Sequence, residues 1–361
     1  MSSPPYIDAY YDEAVALLVK LIEMPSMSGE EEGTAAILEA CLEEKNIEFE
    51  RKGNNLWARN VDFDSTKPTI LLNSHHDTVK PNSGYSNDPF EVSQRDGKLY
   101  GLGSNDAGGC LVSLIMTFVH FYEKKHLPYN LILAATAEEE NSGKNGVESI
   151  LSEIRPIHFG MIGEPTEMDM SVAEKGLMVI DGVAKGVSGH AARDVGLNAI
   201  YEVMQDIAWF KNYRFEKESE YLGPIKMTVT MINSGYQHNV IPDACEYVVD
   251  IRTTDAYSNE QVFEIVQSHV KSEVKARSFR LNSSHLPSHM DISLVADKLG
   301  IKKFGSPTCS DQAVMDFPTF KMGPGKSERS HTADEFIYLK EIKDGIKGYI
   351  HLLEELFKSK S

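Results

Sequence analysis

The pattern that most constrains this chain is a short apolar run that stops at ionisable turn residues, repeated with helix-length spacers. "TILLNSHHDTV" (69–79), "NLILAATAE" (130–138) and "FGMIGE" (159–164) are such runs, and the apolar "GCLVSLIMTFVHFYEKK" (109–125) separates the first two. Strands alternating with helical segments predict an α/β domain with parallel pairing. Apolar positions at helical spacing predict helices over 8–23 and about 30–45. From about Gly176 the texture changes: "LMVIDGVAKGVS", "IKMTVTMINSG" and "ACEYVVDIRTT" read as strands, with helices near 197–212 and 258–271. After about Ser284 the α/β texture resumes, with helices near 292–299 and 334–357. The expectation is a catalytic domain over 1–175 and 285–361, with an α+β domain inserted over 176–284.

The chain has 36 basic and 54 acidic residues, a net charge of −18, and its densest basic stretch, 271–280, is interleaved with apolar and acidic residues. Nucleic acid and anionic membrane are therefore not expected partners. Cys41, Cys110, Cys245 and Cys309 lie far apart, which argues against a disulfide framework and a thiolate metal site. The first residues lack a basic segment followed by an apolar core, and no apolar run reaches membrane-spanning length. A cytoplasmic location is the expectation.

Ionisable residues gather where the apolar runs end. In "SHHDTV", strand alternation places His75 and Asp77 on one side and His76 on the other. A carboxylate that accepts an imidazole's second N–H fixes its tautomer and raises its basicity as a ligand, although a solvated His–Asp pair has the same spelling. In "YGLGSNDAGGCLV", Asp106 stands where a GxGxxG loop would need glycine, so a dinucleotide site is disfavoured. Asp106 fits either a helix N-cap or a carboxylate shared by two metal ions. Glu138, Glu139 and Glu140 form an acidic triplet, Glu164 follows another strand, and His331 precedes Thr332 and Glu335, which have capping-box spacing. Each alone fits an exposed loop. Together, two imidazoles and several carboxylates suit zinc, and also manganese or cobalt. With Asp106 shared, two ions would sit roughly 3.5–4 Å apart.

These segments, with "GLGSNDAGG", "TAEEENSG", "GEPT", "GVSGHAAR", "NVIPDACEYVVDIR", "CSDQAV" and "GPGKSERSHTADE", occur in one order. In that order the chain resembles the di-zinc amidohydrolases, which include acetylornithine deacetylase, succinyl-diaminopimelate desuccinylase, aminoacylase and glutamate-releasing carboxypeptidases. The resemblance spans nearly the whole chain. It implies a zinc-aminopeptidase-like mixed sheet flanked by helices, with an inserted lid and dimerisation domain. It also implies two Zn²⁺ per chain, with Co²⁺ or Mn²⁺ as substitutes. His75 and Glu164 would hold one ion, Glu140 and His331 the other, and Asp106, followed by a cis peptide, would bridge them. Asp77 would orient His75, and Glu139 would be the general base.

In the inserted domain the resemblance assigns His190 to the oxyanion in a homodimer partner's site, with Asn239 assisting. Arg252 would grip the substrate's α-carboxylate, where a guanidinium can bind bidentately, and Lys175 could meet a carboxylate. Asp311 could meet a distal ammonium, or be a surface charge. The family commonly has glycine at Ser74 and aspartate at Glu138, and "AAR" after His190 departs from its pattern, which leaves Arg193 without an assigned contact. The implied activity is hydrolysis of the amide of a small N-acyl amino acid. The first choice is N2-acetyl- or N2-succinyl-ornithine, in arginine biosynthesis. The alternatives are a succinyl-diaminopimelate desuccinylase, a dipeptidase- or carboxypeptidase-like member, and a non-catalytic binding member of the fold.

Overall fold

The computed structural model describes residues 4–193 and 195–360. The chain forms two compact units, one of residues 1–172, 286–304 and 310–361, the other of residues 173–285 and 305–309.

The first unit is built on a mixed sheet. In spatial order its strands are Phe49–Lys52, Asn55–Arg59, Asn130–Thr136, Thr69–His75, Phe159–Ile162, Thr319–Lys321 and Met170–Glu174. Thr69–His75 runs parallel to both of its neighbours, and Phe159–Ile162 is also parallel to Thr319–Lys321. Strands covered on both faces read as continuous apolar runs rather than alternating ones. Accordingly, every residue of Thr69–His75 and of Asn130–Thr136 is buried. One face packs Trp57, Leu71, Ile132 and Ala134 against Val147, Ile150, Leu151 and Ile154. Against the other lies the helix Gly109–Tyr122, apolar nearly all round and itself packed on Pro5–Ile22 and Leu339–Lys358. A helix apolar on all sides belongs in the middle of a fold.

Parallel strands end at the same edge. His75 is opposite Thr136, and Asn73 is opposite Ile162. The turns that follow, carrying Asp77, Glu139 with Glu140, and Glu164, therefore leave one side of the sheet, where open α/β sheets present ligand-binding groups.

In the second unit the strands Lys226–Ser234, Ala244–Thr253, Gly176–Lys185 and Glu273–Ala276 form an antiparallel sheet in that order. Alternate residues are buried along Gly176–Lys185 and Ala244–Thr253, the mark of a sheet covered on one face. Met178, Ile180, Tyr247, Val249 and Ile251 pack against Val203 and Phe210 of the helix Ala199–Asn212 and Val262 and Val266 of the helix Asn259–His269. The second helix starts in a Ser258–Gln261 capping box, and Asn198 caps the first. The strand at 273–276 falls in the basic stretch 271–280, too charged to show an apolar pattern.

One expected boundary is wrong. The last helix starts at Leu339, not near Asp334, and Glu341 reaches back to accept the Tyr338 backbone N–H at 3.0 Å. Residues 336–338 are instead an edge strand paired with Lys98–Tyr100, and Glu335 points inward. Thr332 and Glu335 have the right spacing but no helix to cap. Among the described residues no helix is long and apolar enough to cross a membrane.

Candidate metal centre

His75, the last residue of a central strand, is 1 % exposed, so its ring is fixed by what surrounds it. Its Nδ1 lies 2.9 Å from the Asp77 backbone carbonyl and 3.4 Å from Asp77 Oδ1. The imidazole is thus oriented mainly by the peptide, less by the carboxylate than expected. With Nδ1–H donating to that carbonyl, Nε2 offers a lone pair. That Nε2 is buried and has no hydrogen-bond partner among the described residues. Around it stand Asp106 Oδ1 at 3.5 Å, Glu164 Oε1 at 3.8 Å and Glu139 Oε2 at 3.9 Å.

Asp106 has a second neighbour of the same kind. Its Oδ2 lies 3.7 Å from His331 Nε2, which is 3.0 Å from Glu140 Oε2. One carboxylate therefore faces two imidazoles, one with each oxygen, as a shared ligand must. The Asp106–Ala107 peptide is cis. Gly103, three residues upstream, has φ 77°, and a Cβ there would meet Thr78 Cγ2 at 2.6 Å, so the turn requires glycine.

The charge pattern follows from this crowding. Burial and the neighbouring Asp106 push the Glu164 carboxyl up to about 8. Burial, opposed by His75 and reinforced by Glu164, Asp311 and Glu140, holds Glu139 well above its usual range. Burial alone would lower His75, but Glu139, Asp106 and Asp77 raise it well above 6.5. The bond to Glu140 lifts His331 to about 9. Two groups, His75 with Asp106 and Glu140, and His75 with Glu139 and Glu164, bring their ligand atoms within 4.8 Å of one another. A buried lone pair facing excess carboxylate charge fits divalent cations, which relieve both at once.

Two acidic residues support this set from behind. Asp77 receives the Glu139 N–H on Oδ1 at 3.0 Å, and the Glu140 N–H and the Ser28 hydroxyl on Oδ2 at 3.1 and 2.7 Å. It therefore fixes the acidic turn as well as facing His75. Glu335, 2 % exposed, accepts the backbone N–H groups of Gly103, Asn105 and Asp106 at 3.0, 2.8 and 2.9 Å. Sequence reasoning missed this role; the signal was a glutamate beside the His331 loop, which capping-box spacing explained away. Glu138 is an ordinary loop residue, its carboxylate accepting from the Asn145 backbone and side chain. Ser74, where glycine is usual, fits by donating to the Gly163 carbonyl at 2.8 Å.

Asp311 is not a surface charge. It is buried, accepts from the Thr136 hydroxyl at 2.9 Å, and burial raises its carboxyl to about 7. His75, Asp106, Glu139, Glu140, Glu164 and His331 are thus together in the first unit.

The other expected residues lie in the second unit. His190 is exposed on a two-residue strand opposite Val240, beside Asn239. Its Nδ1 accepts the Ala192 N–H at 3.1 Å, which leaves Nε2 as the donor of the neutral ring. Asn239 Oδ1 is buried without a hydrogen-bond partner among the described residues. Arg252 is already engaged by Asp250, at 2.9 and 3.2 Å. Lys175 is half-buried and immediately precedes the strand Gly176–Lys185. Arg193 donates its backbone N–H to the His190 carbonyl at 2.9 Å.

A family model described as Peptidase family M20/M25/M40 matches residues 71–355. Acetylornithine deacetylase of Pectobacterium atrosepticum is 30% identical over 311 residues, 79% of this chain and 80% of that protein. Succinyl-diaminopimelate desuccinylase 2 of Ruegeria is 24% identical over 294 residues, 76% of this chain and 73% of that protein. The crystal structure of aminopeptidase PepT from Bacillus cereus superposes with a TM-score of 0.75 at 18% identity, covering 96% of this chain and 98% of that one. It has the same fold, a mixed sheet with helices and a separate small antiparallel sheet.

Proposed function

This chain belongs to peptidase family M20/M25/M40 and is a metallohydrolase, and from that premise we propose that it hydrolyses the amide of a small N-acyl amino acid. The observation that carries the reading is the buried, unpartnered His75 Nε2 among the Asp106, Glu139 and Glu164 carboxylates. N2-acyl-ornithine is the first substrate choice, because the likeness to an acetylornithine deacetylase reaches 30% over 79% of the chain. The Ruegeria desuccinylase, at 24% over 76%, keeps succinyl-diaminopimelate as the second reading.

Two zinc ions, held by His75, Asp106, Glu140, Glu164 and His331, would polarise the amide carbonyl and acidify the attacking water. Glu139 takes one proton from that water as its oxygen bonds to the carbonyl carbon. It returns the proton to nitrogen as the C–N bond breaks, giving a carboxylic acid and an amine, which ionise to carboxylate and ammonium. Asp77 and Glu335 hold the acidic turn and the Asp106 turn so that these groups need no rearrangement. His190 and Asn239 serve the oxyanion, and Arg252 the α-carboxylate, in a homodimer.

The test uses the zinc-loaded chain with N2-acetyl-ornithine, N2-succinyl-ornithine and N-succinyl-diaminopimelate. Glu139→Gln should keep close to two zinc ions per chain and lose about 10²–10⁴-fold in kcat. Turnover within about threefold of the parent would reject Glu139 as the base. Zinc bound at full occupancy with no amide cleaved would favour a binding member of the fold.

A further inference from the structure

We propose that a cleft at the far end of the first unit's sheet binds a free α-amino acid with a cationic side chain. The site is separate from the metal centre, and its occupant follows from the groups that line it.

The cleft has a volume of about 580 Å³, within the range of about 300–1,000 Å³ usual for small-molecule sites. It lies where the strand Asn55–Arg59 runs out. There Asn60 donates its backbone N–H to the Leu131 carbonyl at 3.1 Å, and its Oδ1 accepts the Leu131 N–H at 2.8 Å. Leu131 is near the start of the strand Asn130–Thr136, whereas Thr136, at its end, pairs with His75. That length of extended chain sets the cleft roughly 17 Å from the edge that carries the metal centre.

One side of the cleft offers donors. Trp57 and Asn60, 4 % and 2 % exposed, both line it. Trp57 Nε1 and Asn60 Nδ2 are buried with no hydrogen-bond partner among the described residues. An indole N–H can only donate. The bond from Leu131 fixes the Asn60 oxygen, so the free end of that amide is its NH₂. Tyr122 Oη accepts the Glu48 backbone N–H at 3.1 Å, which leaves the phenol hydrogen as a third donor. Three donors lining one cleft match an acceptor with several lone pairs, as a carboxylate has.

The rim has the opposite character. Glu48 and Glu123 are exposed and have no ion pair among the described residues. Arg59, the one cation lining the cleft, is already paired with Glu50 and donates to the Glu153 carbonyl at 2.7 Å. Two carboxylates are therefore left to attract ammonium groups. Phe49 and Phe63 supply apolar wall for a methylene stem between the charges. Ordered water satisfies buried donors in many proteins, and surface glutamates are ordinarily solvated. Neither accounts for both kinds of group lining one ligand-sized cleft. Ornithine, the amine that the proposed reaction releases, has the required charges, and that link alone rests on the hydrolase reading.

Trp57 and Trp209 are the chain's two tryptophans, so Trp209→Phe makes the emission a report on Trp57. The zinc-loaded variant, titrated with ornithine, should show a saturable emission shift, half complete at about 1 mM or below. Norvaline lacks the second ammonium and putrescine lacks the carboxylate, so each should bind at least about tenfold more weakly. Glu48→Gln combined with Glu123→Gln, both at exposed positions, should weaken ornithine by about tenfold or more. Should Trp209→Phe fail to fold, the same titrations of the parent and of the double glutamine variant read the site by difference. No saturable shift up to about 50 mM ornithine overturns the site. So does a shift equal in the glutamine variant, as binding at the metal centre would give, or norvaline or putrescine binding as tightly as ornithine. The titration needs no turnover, so this site and the hydrolase reading fail separately.

Discussion

Removal of the Glu335 carboxylate tests how the Asp106 turn is held. Glu335→Ala strips acceptors from three backbone N–H groups, those of Gly103, Asn105 and Asp106. Each buried donor left unsatisfied costs about 1–3 kcal/mol, so the loss should reach about 3 kcal/mol even at the low end. Glu335→Gln keeps an oxygen for Asn105 and Asp106 but turns an amide N–H toward Gly103, one unsatisfied donor and about 1 kcal/mol. The native carboxylate carries its own penalty: burial and the charge of Asp106 raise it from 4.5 to about 8 despite the three N–H groups. A carboxyl with a raised folded value binds its proton more tightly folded than unfolded. Its contribution is complete below about 4.5 and declines as pH rises through about 8. The rise of about 3.5 units is worth on the order of 5 kcal/mol by pH 9, more than the glutamine variant loses. Urea unfolding of chelator-treated protein, followed by circular dichroism, should rank wild type above Glu335→Gln above Glu335→Ala at about pH 4.5, where little of that contribution has been lost. At pH 9 the glutamine variant should be at least as stable as wild type. An alanine variant within about 0.5 kcal/mol of wild type at about pH 4.5 would refute the claim that Glu335 holds the turn.

Asp77 has the opposite sign. Burial opposes ionisation, but His75, Ser28 and the Glu140 N–H bring its carboxyl down to about 2. The stability it adds, about 2 kcal/mol, is present above its ordinary value of 3.8 and is lost as pH falls toward 2. In metal-free protein, Asp77→Asn should flatten the fall in stability over that interval; an acid limb as steep as the parent's would contradict it. His331→Ala removes the ring facing both Glu140 and Asp106, so zinc analysis should find about one ion per chain instead of two. Two ions retained after dialysis would exclude His331 as a ligand.

Much of the site was legible because strand ends announce themselves. The runs ending at His75, Thr136 and Ile162 are buried on both faces and so spelled as unbroken apolar segments, and the charged letters after them are the ones that converge. What stayed hidden depends on partners remote in the chain. Glu335 is separated from Asp106 by 229 residues, and its local spacing suggested a cap. Asp311 carries no mark of burial in "CSDQAV", since only the fold brings it to Thr136. The division of Asp77 between one imidazole and two backbone N–H groups could not be read from spacing, because the Glu139–Glu140 turn arrives from a neighbouring strand.

The parallel order of the central strands also governs when the site comes into being. Parallel neighbours cannot be joined by a tight turn, so each contributor to the centre reaches the edge only after a long excursion of the chain. His75 and His331 approach Asp106 from opposite ends of the sequence. No local fragment of this chain can assemble the cluster, and contacts so distant in sequence form slowly. Tight zinc uptake during refolding should therefore lag behind secondary structure and report completion of the sheet.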